Sequence, residues 1–510
     1  MLVFHGYLLR GTGSNVYNAE LAQALVRLGH EVHLLCQDRR AEELPWVDAV
    51  GDWDGGDLSL RSLREPARCT VYRPDIGALL PVYVADQYEG FEARPFPSLD
   101  DSQLAHYLAV NVAAVADVAA RVAPDVALAN HEVMGPAVLA RALAGELPYA
   151  VKVHGSALEY TVRPHLSRFG PYAREGLAGA RAVLVGSRHT AERLWDTVPD
   201  PDLPAKTRLG PPGVDVHAFR PRPPAEAAER LLALADRLER RETASWGGER
   251  GAASALRALR PESEPVVSFV GKLIVSKGVD LLLAAWPLVV ARVPDARLCV
   301  VGFGTYRDAL IRLLGALGAG ELGGAREIAA RGREGEGGQA SRLTYLLAFL
   351  DALDGRARED YLRSAARAAG RVHFTGRLEY SDVPDLLSAC AAQVVPSTFP
   401  EAFGMVAAEA AAAGALPISA SHSGLAEVTA QLAGALEEPL RPLLSFSLGP
   451  GAVEELADKL ASWLELDAPT RSRASAALAD YARGQYSWEG VARRVLDAGA
   501  GRLAELPEVR

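Results

Sequence analysis

Short apolar, β-branched runs alternate along most of the chain with longer stretches whose apolar residues recur every three or four positions. Runs of the first kind read as strands and stretches of the second as amphipathic helices, and their alternation is the pattern of parallel α/β sheets. In the first half, strands are predicted at 2–5, 31–36, 126–129, 149–153 and 182–185. In the second half they are predicted at 266–270, 298–301, 372–375, 393–395 and 416–419, with a final run at 433–436. That makes two doubly wound units. Between them LGPPGVDVHAFRPRPP, residues 209–224, is rich in proline and glycine and lacks periodicity, as an interdomain linker does.

Two segments break the rhythm, near 222–263 and 318–370. The first puts Leu231, Leu234 and Leu238 on one helical face; the second has a glycine-rich middle followed by Leu343, Leu346, Leu347 and Leu350 at helical spacing. Both read as insertions that extend the second domain, with a solvated charged face and no chemistry of their own.

With 510 residues, 49% of them hydrophobic, the chain can bury a sizeable core in two large domains. A net charge of -10 without a concentrated basic stripe argues against nucleic acid as a partner, so an anionic ligand needs a local pocket. Cys36, Cys69, Cys299 and Cys390 are widely separated, without a Cys-x-x-Cys, and read as reduced core residues of a cytoplasmic protein. MLVFHGYLL lacks a basic leader and reads as a first strand. No uncharged apolar run approaches the roughly 18 residues that span a bilayer, so no transmembrane segment is expected and a peripheral membrane contact stays open.

Three segments could carry chemistry. In RGTGSNVYNAELAQALVRLGHEV, Gly11 and Gly13 allow close backbone approach, and the following helix start favours an anion. A dinucleotide fingerprint would want glycine at Val16 and an acidic residue earlier than Asp38, which disfavours NAD; a plain tight turn explains the segment equally well. In SFVGKLIVSKGVD, Lys272 and Lys277 flank a strand-to-helix loop where two ammonium groups can hold a diphosphate without a metal.

The third segment, PSTFPEAFGMVAAEAAAAGALPISA, puts Glu401 before a helix-like alanine run and Glu409 inside it. If the helix starts near Phe403, its first N–H groups, from Phe403, Gly404, Met405 and Val406, point at whatever Glu401 faces, and Gly404 leaves room for close approach. With Glu409 two turns into that helix, the carboxylates are separated by roughly 8 to 12 Å, a span comparable to that between the two sugars of a nucleotide sugar, and an ionised carboxylate is a good acceptor for a pair of vicinal hydroxyls. The Asp52–Asp54 motif in GDWDGGD superficially matches a metal-binding Asp-x-Asp, but reads as solvated loop, and no metal is assigned. His154, in KVHGSALEY, and Arg188, in VGSRHTAERL, end first-domain strands at the ligand edge of an α/β sheet; a buried structural histidine and a helix cap at Ser187 are the plain alternatives.

PEAFGMVAAEAAAAGALPI resembles the donor-binding motif of the retaining glycosyltransferases of family four, group one, which have the two-domain GT-B fold. GTGSNVYNAELAQALVRLGHEV, LGPPGVDVHAFRP, VGKLIVSKGVDLLLAAW with VGFGTYRDAL, and YSWEGVARRVLDA agree with it in order. The resemblance implies two Rossmann-like domains facing across a cleft: 1–213 on the acceptor side, 214–487 binding the nucleotide sugar, and 488–510 a helix crossing back to the first domain. It also implies a hexose moved from a nucleoside-diphosphate sugar, uridine being the commonest base, to the hydroxyl of a small molecule, glycan or lipid head group.

On that resemblance Glu401, His154 and Lys277 lie at the reaction centre. Glu409 binds the ribose. Gly13, Lys272, Lys277 and the backbone of Phe403, Gly404, Met405 and Val406 hold sugar and diphosphate, Arg377 and Leu378 meet the base, Ser423 and Gly424 border the donor with Glu427 supporting their loop, and Arg188 faces an anion. Neither cofactor nor metal is expected. The alternatives are a phosphorylase or epimerase on a similar scaffold, or a noncatalytic subunit that binds a partner through the insertions.

Overall fold

The computed structural model describes residues 1–11, 13–54, 56–83, 90–240 and 251–509. Residues 241–250 of the first expected insertion lie outside these. The chain divides into two compact units, 1–213 with 486–510, and 214–485.

Among the described residues the first unit holds a nine-stranded sheet. Its order is Thr207–Leu209, Ala182–Val185, Tyr149–Lys152, Ala127–Asn130, Leu2–Phe4, Val32–Leu35, Cys69–Arg73, Ala49–Asp54, Asp57–Ser62. Every pairing is parallel except the last, a hairpin. The strand order reverses at Leu2–Phe4, which pairs with Val32–Leu35 on one side and Ala127–Asn130 on the other. The loops leaving the C-terminal ends of these central strands therefore meet at a switch point, where α/β sheets bind ligands.

One face of this sheet is covered by Gly13–Arg27 and Trp488–Gly499, which share a core with Val3, Leu34 and Leu184. The other is covered by Asp101–Val122, Gly135–Leu143 and Leu166–Gly179. Trp488 is 1% exposed and lies so close on Gly213 that a Cβ there would sit 2.4 Å from its ring, while Tyr17 packs edge-on at 5.4 Å. Helix Asp101–Val122 qualifies the expectation about spans: at 22 residues it is long and apolar enough to cross a bilayer by length and composition. It is N-capped by Asp100 and buries Leu104, Leu108, Val115 and Val118 in the sheet's core.

Among the described residues the second unit has six parallel strands, ordered Val372–Gly376, Arg297–Val301, Val266–Val270, Ala392–Val395, Leu416–Ala420, Ser445–Phe446. One edge strand is Ser445–Phe446, and the expected strand at 433–436 is instead the end of helix Ser423–Gly434 with the turn after it. Leu425, Val428 and Leu432 are buried at helical spacing, and that period outweighs a short apolar run.

The Asp52–Asp54 motif is also corrected. It is strand, not loop, and Asp52 accepts two hydrogen bonds from Arg73 at 2.7 Å each. Strand Asp57–Ser62 is almost wholly exposed, so it carries little of the apolar signal by which strands are read.

The insertions pack as core rather than hang as appendages. Helix Pro224–Arg240 buries Leu231 and Leu234, and its Arg237 donates to Asp385 at 2.9 Å. Helix Thr344–Ala352 buries Leu346, Leu347, Phe349 and Leu350, and helix Gly355–Ala368 lies on Val279–Arg292, where Tyr361 donates its hydroxyl to Ala284 O at 3.0 Å.

Truncating the largest side chain that the C-terminal helix buries should open a cavity in the first unit's core. Trp488→Ala is expected to cost about 3 to 5 kcal/mol, read by urea unfolding followed through that unit's near-UV signal. A loss within the error of such a measurement would contradict the packing described.

Candidate functional site

In the second unit the loops at the C-terminal sheet edge are tied by their own backbones. Gly271 N–H donates to Val301 O at 3.1 Å, Leu273 N–H to Phe303 O at 2.8 Å, and Gly302 N–H to Gly376 O at 2.9 Å. Gly278, at φ +65°, passes so close to the next loop that a Cβ would fall 2.0 Å from Pro396 O. Lys272 is exposed on its loop. Lys277 ends the turn Val275–Lys277 and directs Nζ onto Glu401 Oε1.

Glu401 is held at three points. Ser397 Oγ donates to its Oε1 at 2.5 Å, its own N–H donates to Ser423 Oγ at 2.9 Å, and its carbonyl accepts from Gly424 N–H at 2.9 Å. Burial alone would raise its pKa, but the charge of Lys277 and the hydrogen bonds from Lys277 and Ser397 outweigh it, so the carboxyl lies below the ordinary range. It is ionised at neutral pH.

Helix Met405–Ala413 begins two residues later than Phe403. Gly404 is extended at φ -173°, so the helix nucleates beyond it, and its carbonyl accepts from Ala407 and Ala408 at 3.0 and 3.1 Å. The amides of Met405 and Val406 are left without an acceptor among the described residues. Gly404 also has another reason to be glycine: a Cβ would meet Val428 at 2.8 Å and Leu425 at 2.9 Å, so it serves packing against helix Ser423–Gly434.

Glu409 lies one turn into this helix rather than two. It is 5% exposed, and burial pushes its carboxyl up to about 8 despite an opposing hydrogen bond with Tyr380. It is thus neutral at pH 7, not the ionised acceptor expected. Arg377 donates to Glu379 at 3.2 Å and lies over the Phe303 ring, and Leu378 is buried beside it. Glu427 sits on the first turns of helix Ser423–Gly434.

In the first unit Gly11 takes φ +97°, as the turn requires, and Gly13 is the exposed first residue of helix Gly13–Arg27. Beneath the loop lies a buried polar network that sequence reading missed. Asn130 Nδ2 donates to Phe4 O at 3.1 Å and to Asn18 Oδ1 at 2.8 Å, which leaves Asn130 Oδ1 to accept from His154 Nε2 at 2.8 Å. His154 is therefore the Nε2–H tautomer. Burial first, then the neighbouring His131 and Lys152, hold it well below the ordinary histidine range, so the imidazole is neutral.

His5 completes the network through Asn15 and Asn18 at 3.0 Å each. The only legible signal was the pair Asn15 and Asn18 on the helix's buried face. Against His154, at 4.8 Å between rings, stands His131 at φ +67°. Both its ring nitrogens are without a partner among the described residues. Glu132 next to it is pushed up to about 7 by burial, opposed by the amides of Glu132, Gly155 and Leu158, though none of these makes a hydrogen bond of normal geometry to it. Arg188 stands apart from this network, exposed and paired with Glu192 at 2.7 Å, while Ser187 Oγ accepts from Thr190 N–H at 3.2 Å as a helix cap.

An ionised carboxylate held by an ammonium group, a helix start with two open amides and a buried neutral carboxyl one turn on suit a ligand combining phosphate with sugar hydroxyls. Residues 11–218 match the description Glycosyltransferase Family 4, and 264–328 and 341–483 match Glycosyl transferases group 1.

The chain is similar to the GDP-mannose-dependent alpha-(1-6)-phosphatidylinositol monomannoside mannosyltransferase of Mycolicibacterium smegmatis, 30% identical over 186 residues, or 31% of this chain and 41% of that protein. It is 25% identical over 240 residues, 46% of each chain, to the GDP-mannose-dependent monoacylated alpha-(1-6)-phosphatidylinositol monomannoside mannosyltransferase of Corynebacterium glutamicum. The matched stretch thus spans less than half the length of either relative. A solved sucrose-phosphate synthase of Thermosynechococcus elongatus shares the fold, with TM-score 0.57 and 18% identity over 99% of both chains.

Glu409 makes stability depend on pH. Its pKa is raised from 4.5 to about 8 on folding, so the stability it lends is fully present below 4.5 and is lost as pH rises towards 8. The ligand-free protein should therefore show a steeper loss of urea stability between pH 5 and about 8 than Glu409→Gln does. Parallel pH profiles for the two proteins would contradict the buried neutral carboxyl.

Proposed function

The chain belongs to the family-four and group-one glycosyltransferases, and from that premise we propose that it is a retaining, metal-independent hexosyltransferase using a nucleoside-diphosphate sugar. The observation that carries this reading is the Glu401–Lys277 pair beside the open amides of Met405 and Val406. In the proposed reaction the acceptor hydroxyl attacks the anomeric carbon on the face from which the diphosphate departs. The bond from anomeric carbon to phosphate oxygen breaks as the bond to acceptor oxygen forms, and the acceptor's proton passes to the leaving phosphate oxygen.

The chain's own residues act by position and charge. Lys272, Lys277 and the amides of Met405 and Val406 stabilise the negative charge that develops on the diphosphate. In the second unit Glu401 accepts hydrogen bonds from hydroxyls of the transferred sugar and Glu409 takes the ribose hydroxyls, and in the first unit His154 offers a neutral imidazole to a sugar ligand. Arg377 and Leu378 border the base, and in the first unit Gly13 offers close backbone approach to a phosphate or sugar. Arg188, on the first unit, meets an anionic acceptor.

The two curated relatives are named for GDP-mannose, which puts guanosine ahead of the uridine that the family resemblance makes commonest, and for phosphatidylinositol mannosides, which makes a polyol lipid head group the acceptor class to try first. A position at the membrane surface fits such an acceptor.

Purified protein with EDTA, offered GDP-mannose and UDP-glucose with phosphatidylinositol-containing acceptors, tests the reading; no transfer from any nucleotide sugar would overturn it. Glu409→Ala should weaken nucleoside-diphosphate affinity by roughly 5- to 30-fold, the loss expected for one or two hydrogen bonds to a neutral carboxyl. Glu401→Ala should lower kcat by roughly 10²- to 10³-fold, as for the loss of a transition-state contact, and leave that affinity within a few fold. Calorimetric titration giving equal nucleotide affinity for wild type and Glu409→Ala would contradict the assignment.

A further inference from the structure

Glu401 is held by more than Lys277. Its carboxylate accepts from Ser397 Oγ at 2.5 Å, and Ser397 in turn presents its backbone carbonyl to His422 Nε2 at 2.7 Å. A carbonyl only accepts, so His422 carries its proton on Nε2 and leaves Nδ1 as an acceptor. Ser423 Oγ stands 3.1 Å from that Nδ1 and donates to it. The lone pairs of the same oxygen take the N–H of Glu401 at 2.9 Å. Four hydrogen bonds thus close a ring from Glu401 through Ser397, His422 and Ser423 back to Glu401.

The backbone is bent to make this ring. Ser423 sits at φ +50°, a conformation that suits glycine, and it keeps a side chain there. Gly424 follows so closely beneath Glu401 that a Cβ would lie 2.7 Å from Glu401 O. A residue held in the left-handed region at a ligand edge marks a side chain whose contact outweighs its strain.

We propose that His422 and Ser423 are positioning residues that set the orientation of Glu401 towards the transferred sugar. The inference rests on the role given to Glu401 above and deepens it. Neither residue touches the reacting atoms. They hold the Pro396–Glu401 loop against the start of helix Ser423–Gly434, so that the carboxylate, free to swing about its own bonds, keeps one direction.

The pair gives two readouts. Long-range proton–nitrogen NMR on protein with ¹⁵N-labelled histidine, assigned with His422→Gln, should show His422 in the pure Nε2–H tautomer at pH 8, and as a mixture in Ser423→Ala. In transfer assays, Ser423→Gly relieves the backbone and should fold at least as well as wild type in a thermal melt, yet lose kcat by roughly tenfold, the worth of one hydrogen bond. The donor KM should stay within about twofold, because the ring orients a group without adding ground-state binding.

His422→Ala should behave alike, with His422→Gln recovering part of the loss through its amide donor to Ser397 O. In a Glu401→Gln background His422→Ala should have no further effect on kcat. A mixed tautomer in the wild type, kcat unchanged in Ser423→Gly, or additive losses in the double variant would each overturn the proposal. Absence of transfer by the wild type, with the Nε2–H tautomer intact, would instead sink the transferase reading and leave the ring standing.

Discussion

The ion pair between Lys277 and Glu401 joins two loops 124 positions apart, and the ligand edge of the second unit is organised around it. One loop brings a cation to the C-terminal end of strand Val266–Val270, and the other brings a carboxylate to the end of strand Ala392–Val395. These strands are neighbours in the sheet, so parallel pairing itself delivers the two groups to the same edge. The close pass of Gly278 beneath Pro396 and the hydrogen bonds among the loops then remove the freedom that would let the pair separate. The ammonium group at that edge is thus already oriented by its carboxylate.

The two carboxyls of this edge are driven in opposite directions by their surroundings. Glu401 has a cation and a hydroxyl to stabilise its charge, whereas Glu409, one turn along a helix of buried alanines, has no cation and lies under the low-dielectric core. The same logic runs through the first unit, where burial keeps His5, His131 and His154 neutral and holds Lys152 down to about 7. Its sheet edge is built from buried groups pushed towards their neutral forms, while that of the second unit carries the Lys277–Glu401 ion pair.

The misreadings share a cause. Strand Asp57–Ser62 and the Asp52–Asp54 motif lie in a hairpin at the exposed margin of a sheet, where few positions face a core and alternation fades. The run at 433–436 is apolar for the helix that precedes it. The helix after Glu401 begins at Met405 because Gly404 yields its own conformation to the packing of Val428 and Leu425, neighbours more than twenty positions away. The insertions read as solvated because each helix has one charged face, but the opposite face is buried.

From its own order of residues this chain determined the α/β alternation, ten of the strands to within two residues at either end, and the local pieces of chemistry in VGKLIVSKG, PEAFGMVAAE and KVHG. Such features depend on periods of two and 3.6 and on neighbours a few positions apart, so they are visible in one dimension. Only the tertiary structure decided which way Glu401 points, that Glu409 is neutral, and that His154 is one end of a network through Asn130, Asn18 and His5. These come from strands and loops scattered across the chain, and their proximity is a property of sheet order and burial, which set both the distance between two groups and the dielectric around them.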